Sequence, residues 1–244
     1  MLFLESSIPP PDARLQVEDL RLGYGQIEVI HRLSLVVDPG EVVGLAGRNG
    51  AGKTTTLRGI SGLLHRRGGR ITLGGTSLPA APERVARLGV AHVPEGRALM
   101  PSLTVLDNLR VAAWAARHTL EKNDIDALID VFPLLADLLP RTAGSLSGGQ
   151  QQVVALSRGL AAKPTILMID ELSLGLAPRI TGDLWHALTT SIAPKGIGLL
   201  IVDQNLRLLR THCHRLYWLN DGLLRDIDLA APDADQVLES IYFD

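Results

Sequence analysis

The segment Gly47–Thr54 constrains the fold of this chain more than any other. It reads Gly-Arg-Asn-Gly-Ala-Gly-Lys-Thr and fits the pattern G-x-x-x-x-G-K-[ST]. A short apolar stretch, residues 41–46, precedes it, and residues 54–60 can begin a helix. Such a strand–loop–helix unit wraps backbone N–H groups around an anion, and the helix N-terminus adds the positive end of its dipole. The segment therefore predicts a phosphate site; a glycine-rich turn that happens to contain Lys-Thr is the alternative.

Two side chains of this loop have chemistry that suits a nucleotide. Lys53 can reach the β- and γ-phosphates, and the hydroxyl of Thr54 can ligate magnesium. The residues predicted to bind the nucleotide here are Gly47, Arg48, Asn49, Gly50, Ala51, Gly52, Lys53, Thr54 and Thr55.

The composition limits the class of protein. A length of 244 residues fits one large domain or a core with a subdomain, and 46% hydrophobic residues can supply its interior. The net charge of −2 gives no electrostatic reason to expect nucleic acid or anionic lipid as the main partner. Cys213 is the only cysteine, so no disulfide framework is expected and a reducing cytoplasm fits. The start has no basic region typical of a signal peptide, and the longest apolar runs are too short to span a bilayer.

Apolar strands that alternate with helices predict an α/β fold with a mainly parallel sheet covered on both faces. Before that region, residues 15–22 and 27–37 read as strands, and residues 70–78 as a hairpin with a Gly-Gly turn. Residues 97–146 have helical spacing and are expected to form a helical insert. We expect residues 1–14 to be a disordered tail and 15–244 to be a single domain, with a helix after the loop to about Leu64 and a closing helix near residues 235–240.

Two carboxylates follow an apolar strand at residues 166–169. Asp170 and Glu171 come at its carboxyl end, where parallel sheets bind their ligands. Asp170 is placed to hold the coordination shell of magnesium, and Glu171 to polarise a water molecule against the γ-phosphate. The alternative is a strand with a solvated acidic end.

The sequence Leu-Ser-Gly-Gly-Gln at residues 146–150 begins a helix that should run to Lys163. Its N-terminus could present backbone N–H groups and the Ser147 hydroxyl to a second anion. A plain helix cap is the alternative.

This last segment resembles the signature motif of ATP-binding-cassette (ABC) proteins, and the phosphate loop and the acidic strand follow the family's order from about Leu15 onwards. The resemblance implies a P-loop NTPase core with an antiparallel β subdomain and a helical insert. It also implies that two subunits enclose two ATP molecules, each between one phosphate loop and the other subunit's signature motif. The signature residues Leu146, Ser147, Gly148, Gly149 and Gln150 would then serve the partner's ATP, and Tyr24 would stack on adenine.

Two further positions narrow the resemblance. Glu95 stands where most members have a Gln that contacts magnesium and the membrane partner, and Gln204 where most have a His that touches the γ-phosphate. With residues 173–178, they resemble the branch that energises uptake of branched-chain and other hydrophobic amino acids, whose relatives serve urea and short amides. This resemblance implies ATP and Mg²⁺ as cofactors, with Thr54, Glu95 and Asp170 around the metal and Glu171 and Gln204 as catalytic residues.

One position departs from the family pattern. Leu172 stands where the family nearly always has Pro after the catalytic Glu, and the loss of the ring could loosen Glu171. In addition, Gln204 can donate a hydrogen bond but cannot take a proton at neutral pH. We expect hydrolysis to survive, with a slow site or a hydrolysis-deficient regulatory subunit as alternatives.

The resemblance also implies the partners. These are a second ATPase subunit (a different chain, or a second copy), two membrane permease subunits and, indirectly, an extracytoplasmic binding protein, with no nucleic acid. The chain would lie on the cytoplasmic face of the inner membrane and be held there by these subunits. The alternative cargoes are urea, short amides or a lipid. The His-Cys-His sequence at 212–214 is read as an ordinary helix end and not as a metal site, and Trp114 and Trp185 are read as packing residues.

Overall fold

The computed structural model describes residues 13–231 and residue 234. The strands of this part of the chain are β1 Leu15–Tyr24, β2 Ile27–Val37, β3 Val42–Gly47, β4 Gly68–Leu73, β5 Thr76–Ser77, β6 Val90–Val93, β7 Ile166–Asp170, β8 Gly198–Val202, β9 Arg215–Asn220 and β10 Leu223–Ile227. The α-helices are α1 Lys53–Ile60, α2 Pro82–Arg87, α3 Val105–Ala115, α4 Lys122–Val131, α5 Leu135–Leu138, α6 Gly148–Ala161, α7 Pro178–Ala187 and α8 Leu206–His212. A π-helical turn at Leu188–Ile192 continues α7.

The larger sheet has the strand order β10-β9-β3-β8-β7-β6. Strands β9, β3, β8, β7 and β6 run parallel, and β10 pairs antiparallel with β9 through a tight turn at Asp221 and Gly222. The carboxyl ends of β3, β8, β7 and β6 therefore meet at one edge of the sheet, as parallel strands require. The segments that follow these four strands begin at residues 48, 203, 171 and 94.

Both faces of this sheet are covered. Along β7, Leu167 and Ile169 belong to one apolar cluster, and Ile166 and Met168 belong to the other. All four side chains are fully buried, because successive residues of a strand point to opposite faces. The prediction of a parallel sheet buried on both sides is confirmed.

The smaller sheet is antiparallel and has the order β2-β1-β4-β5. Its β4–β5 hairpin turns at Gly74 and Gly75, both with positive φ, as the Gly-Gly sequence predicts. The backbone N–H of His31 donates to the carbonyl of Gly222 at 3.3 Å and so ties this sheet to the β9–β10 turn. The predicted antiparallel portion of the fold is therefore present.

Helices α3, α4 and α5 occupy the range predicted for the helical insert. Val105 and Leu109 of α3 and Leu128 of α4 join the apolar cluster that also contains Val153 and Leu156 of α6. The insert thus packs on the helix that begins with the signature segment. None of the helices in the described residues is long and apolar enough to cross a membrane.

Three local expectations need correction or fall outside the described residues. Helix α1 ends at Ile60 and not near Leu64, because Gly62 turns the chain with φ 77°. Residues 1–12 of the expected tail lie outside the described residues, whereas Ala13 is buried and Arg14 pairs with Asp38. The closing helix expected at residues 235–240 lies outside the described residues.

Candidate nucleotide-binding site

The phosphate loop connects β3 to α1 in the way that the motif predicts. Gly52 is the N-cap of α1 with φ 107°, a conformation that side chains rarely adopt, and an added Cβ there would lie 2.6 Å from Ile30 Cδ1. A Cβ on Gly47 would lie 2.3 Å from the carbonyl oxygen of Leu219. Both positions therefore require glycine for the loop to take this shape.

Lys53 is folded back onto the loop. Its Nζ donates to the carbonyl oxygens of Gly47 at 2.8 Å and Arg48 at 3.0 Å. Burial lowers the pKa of Lys53, and the charges of the nearby carboxylates, Glu171 first, act in the opposite direction. The ammonium group thus donates to two neutral carbonyl oxygens. Negatively charged phosphate oxygens can replace these acceptors and bind the ammonium group more strongly.

Asp170 ends β7 as a buried carboxylate. The residue is 2% exposed, and neither carboxylate oxygen has a hydrogen-bond partner among the described residues. Burial is the main cause that raises the pKa of Asp170, and the charge of Glu95 adds to the rise. The nearby Thr54 hydroxyl and the charges of Lys53 and Arg58 lower this pKa. A bound cation would offset the cost of burying the carboxylate.

The residues predicted to hold magnesium fit that ion. Asp170, the Thr54 hydroxyl and Glu95 supply hard oxygen ligands, and Glu95 follows β6 on the edge where β7 also ends. No group of three His, Cys, Asp or Glu side chains in the described residues could hold a metal alone. Mg²⁺ suits such a site, because it is held by one or two carboxylates together with nucleotide phosphates and water.

Glu171 and Gln204 are brought together from adjacent strands. Gln204 Nε2 donates to Glu171 Oε1 at 3.1 Å. Burial raises the pKa of Glu171, while the hydrogen bond from Gln204 and the charge of Lys53 oppose the rise. A carboxylate with a raised pKa is a better acceptor for a proton from water. These two side chains can therefore orient a water molecule at the edge where the phosphate loop lies.

Leu172 is anchored in this structure. Its side chain is fully buried, and its backbone N–H donates at 3.4 Å to the carbonyl of Val202, which also accepts from the N–H of Glu171 at 2.9 Å. A proline could not make the first of these bonds. The loosening expected from the missing proline is therefore opposed by a hydrogen bond to β8.

Tyr24 lies beside α1 with 44% of its surface exposed. Its hydroxyl accepts from Arg58 Nη1 at 3.5 Å. The ring is thus available near the loop, and its stacking on adenine stays a prediction.

The signature segment caps α6. The Ser147 hydroxyl accepts from the N–H of Gln150 at 3.4 Å, and Gln150 Oε1 accepts from the N–H of Ser147 at 3.0 Å. A Cβ on Gly149 would lie 2.6 Å from Ile180 Cδ1. The capping role left open by the sequence is realised, and the role of these residues toward a partner's ATP stays a prediction.

The two tryptophans behave differently. Trp185 is fully buried and stacks on His212 with ring centroids 4.9 Å apart, which confirms packing for Trp185 and an ordinary helix end at residues 212–214. Trp114 is 78% exposed, so its reading as a packing residue is wrong. Its helical spacing predicted the helix but not which face of α3 is covered.

Sequence reasoning missed two groups near the site. Asp203 is buried directly after β8 and accepts three hydrogen bonds. Arg97 donates to the side chains of Gln152 at 3.1 Å and Gln151 at 3.2 Å, and so joins the loop after β6 to α6. The position of Asp203 immediately after an apolar strand could have identified it from the sequence. No pattern in the sequence near Arg97 indicates its contacts with α6.

The edge of the sheet thus combines a phosphate loop, an orphaned carboxylate and a Glu–Gln pair. The family model described as "ABC transporter" matches residues 30–173, more than half of the chain. The chain belongs to the ABC transporter family. Members of this family hydrolyse ATP to power transport, and this chain is an ATP-binding subunit of that kind.

Several proteins of similar sequence have names that describe transport or export. One is "High-affinity branched-chain amino acid transport ATP-binding protein BraG" of Pseudomonas aeruginosa, 35% identical over 82% of this chain and 85% of the relative. Another is "Lipopolysaccharide export system ATP-binding protein LptB" of Haemophilus influenzae, 32% identical over 85% of this chain and 87% of the relative. Among solved structures, one described as the "ATP binding subunit of ABC transporter" is 30% identical, with a TM-score of 0.78 and 93% of both chains covered.

These similarities confirm the predicted ABC ATPase fold and the family assignment made from the motifs. ABC ATPase subunits form dimers and act with membrane permease components.

Proposed function

We propose that this chain is the ATP-hydrolysing subunit of a membrane importer for branched-chain or other hydrophobic amino acids. The similarity to the branched-chain amino acid transport protein supports this cargo. Glu95, Gln204 and residues 173–178 support it too, because they match the branch of the family named for such uptake. On this proposal the chain lies at the cytoplasmic face of the inner membrane and is held there by permease subunits.

The observation that carries the proposal is the convergence of Lys53, Asp170 and the Glu171–Gln204 pair at one sheet edge. Lys53 and the loop N–H groups bind the β- and γ-phosphates. Asp170, Thr54 and Glu95 would hold Mg²⁺, which would neutralise developing charge on the phosphates. Glu171 accepts a proton from the attacking water, and Gln204 donates a hydrogen bond at the γ-phosphate.

A second ATPase subunit completes each site. Ser147 and the first N–H groups of α6 form an anion-binding helix end that suits the γ-phosphate of an ATP held by the partner. ATP would close the two subunits on each other, and hydrolysis would let them reopen. We propose a different ATPase chain as the partner, with a second copy of this chain as the alternative.

The permease contact is proposed at Trp114. This ring is 78% exposed on α3 and borders a cleft of about 440 Å³ that is also lined by Arg87, Arg117 and His118. An exposed tryptophan flanked by basic side chains suits a short cytoplasmic segment with apolar and acidic side chains. The insert carries this surface and, through α6, the signature segment, so movement of one would reach the other.

The decisive experiment compares ATP hydrolysis by wild type and Glu171→Gln in the assembled transporter. We expect the variant to bind ATP and to lose at least 100-fold in kcat, because the amide accepts no proton. Glu83→Gln on α2 is a matched control, since this exposed glutamate lies at the start of a helix away from the sheet edge. Equal rates for Glu171→Gln and wild type would overturn the catalytic assignment.

The cargo needs a separate test, because the membrane subunits and the binding protein would determine which solute is transported. Uptake of radiolabelled leucine, urea and acetamide would be measured in cells with and without this gene. Loss of leucine uptake alone supports the proposal. The similarity to a lipopolysaccharide export protein favours lipid export as the second candidate, and accumulation of lipid at the inner membrane would support that alternative.

A further inference from the structure

Asp203 is a buried carboxylate whose bonding is complete. It follows β8 and is 1% exposed. Its Oδ2 accepts from the backbone N–H of Ser173 at 2.9 Å, and its Oδ1 accepts from Ser173 Oγ at 2.8 Å and from the N–H of Asn205 at 2.8 Å. Three hydrogen bonds to a charged acceptor offset much of the cost of burying it.

The partners of Asp203 flank the two proposed catalytic side chains. Ser173 lies two residues after Glu171, and Asn205 lies one residue after Gln204. One carboxylate therefore bridges the turn after β7 and the turn after β8. These are the turns that present Glu171 and Gln204 at the edge of the sheet.

The turn after β7 needs such a restraint. Glu171 has φ 54°, a left-handed conformation that is strained for a residue other than glycine. The carbonyl of Val202 accepts the N–H of Glu171 and, at 3.4 Å, the N–H of Leu172. Beyond Leu172, the turn is held by the two bonds from Ser173 to Asp203. The strained residue is thus held from both sides by β8 and the residue that follows it.

We propose that Asp203 is a positioning residue for ATP hydrolysis, which locks the Glu171 turn to the Gln204 turn and sets the contact between these two side chains. The proposal rests on the roles given to Glu171 and Gln204 under the proposed function. It adds a residue that touches neither the nucleotide nor the water molecule.

The test uses Asp203→Asn in the complete transporter, with Asp226→Asn on the exposed side of β10 as the matched control. We expect kcat to fall about 10- to 100-fold, as for other changes that misplace a catalytic group, with KM for ATP and ATP affinity within about threefold of wild type. Asp226→Asn should match wild type in kcat, in KM for ATP and in ATP affinity.

A second variant protects the test against misfolding. Ser173→Ala removes only the hydroxyl bond and keeps the backbone bond, so we expect a fall in kcat of about two- to tenfold, the effect of one hydrogen bond. Combined with Asp203→Asn, it should add little, because both changes act on one contact. Wild-type kcat in Asp203→Asn, or wild-type kcat in Ser173→Ala if the first variant does not fold, would overturn the proposal.

The positioning role of Asp203 and the proposed function are contradicted by different results. If Glu171→Gln abolishes hydrolysis and Asp203→Asn leaves it unchanged, the positioning role is wrong and the proposed function stands. If Glu171→Gln hydrolyses ATP at the wild-type rate, the proposed function itself is wrong.

Discussion

Gln204 Nε2 lies 3.1 Å from Glu171 Oε1 and donates a hydrogen bond to it. The two residues follow β8 and β7, which are neighbours in the sheet. An amide holds the glutamate in the same way at every pH near neutrality, because it does not titrate. Hydrolysis by this subunit should therefore depend on the ionisation of Glu171 and not on that of Gln204.

Replacement of Gln204 by histidine should add a titrating group to the site. We expect Gln204→His to show a new pH dependence of kcat between about pH 5.5 and 7.5, around the ordinary pKa of histidine. Wild type should lack this added dependence, because the amide of Gln204 does not titrate. Gln204→Ala should lower kcat without that dependence. The measurement is kcat for ATP from pH 5.5 to 8.5, and identical profiles for Gln204→His and wild type would contradict the direct role of this side chain.

Asp170→Asn should stabilise the nucleotide-free protein and abolish its response to Mg²⁺–ATP. Burial raises the pKa of Asp170, so the folded state binds a proton more tightly than the unfolded chain. The carboxylate therefore costs stability as pH rises from its unfolded pKa through its higher folded pKa, and the cost persists at neutral pH. We expect a gain of about 1–2 kcal/mol in unfolding free energy at pH 7.5, the scale of one buried, unpaired polar group.

The measurement for Asp170→Asn is urea unfolding at pH 7.5 and at pH 4, with and without Mg²⁺–ATP. The advantage over wild type should shrink toward pH 4, where the wild-type carboxyl is closer to protonation. Asp137→Asn is the control, because this aspartate is exposed on α5. A destabilised Asp170→Asn would show that the carboxylate is already paired in the nucleotide-free protein.

Ser147→Ala should separate the capping role of this serine from its proposed role at the partner's ATP. Loss of the cap of α6 should cost about 1 kcal/mol. Thr104→Ala is a matched control, since Thr104 caps α3 by accepting from the N–H of Asp107 at 3.1 Å. Both variants should lose similar stability, but only Ser147→Ala should lower kcat of the assembled transporter, by about tenfold or more. Equal activity of Ser147→Ala and Thr104→Ala would show that Ser147 only caps α6 and has no role at the partner's ATP.

Trp114→Ala should weaken attachment to the permease without affecting ATP binding. The exposed ring makes no contribution to the core, so stability should change by less than about 0.5 kcal/mol. At the centre of an interface, its loss should cost about 2 kcal/mol or more of binding, roughly 30-fold. Leu63→Ala is the control, because Leu63 is 61% exposed outside the insert. Co-purification measures attachment to the permease, and titration with labelled ATP measures nucleotide binding. Unchanged co-purification of Trp114→Ala would show that Trp114 does not contact the permease.

The phosphate loop, the acidic strand and the cap of α6 could be predicted because each depends on residues close in sequence. Gly52 takes its left-handed φ, and Ser147 accepts the N–H three residues later. Strands made of continuous apolar residues, without alternating polar ones, likewise predicted a sheet that is buried on both faces. The limit of such reasoning is visible at α1, where Gly62 ended the helix before the apolar pattern did.

The sequence by itself determined the family, the nucleotide chemistry and the order of strands and helices, since these follow from motifs and from local hydrogen bonding. Only the tertiary structure decided that Asp203 bonds Ser173, 30 residues away, and that Trp114 is exposed. It also decided that the carboxylate of Asp170 has no hydrogen-bond partner in the described part of the chain. The physical reason is the strand order, in which β8 lies between β3 and β7. That order brings together side chains whose separation along the chain says nothing of their distance in space.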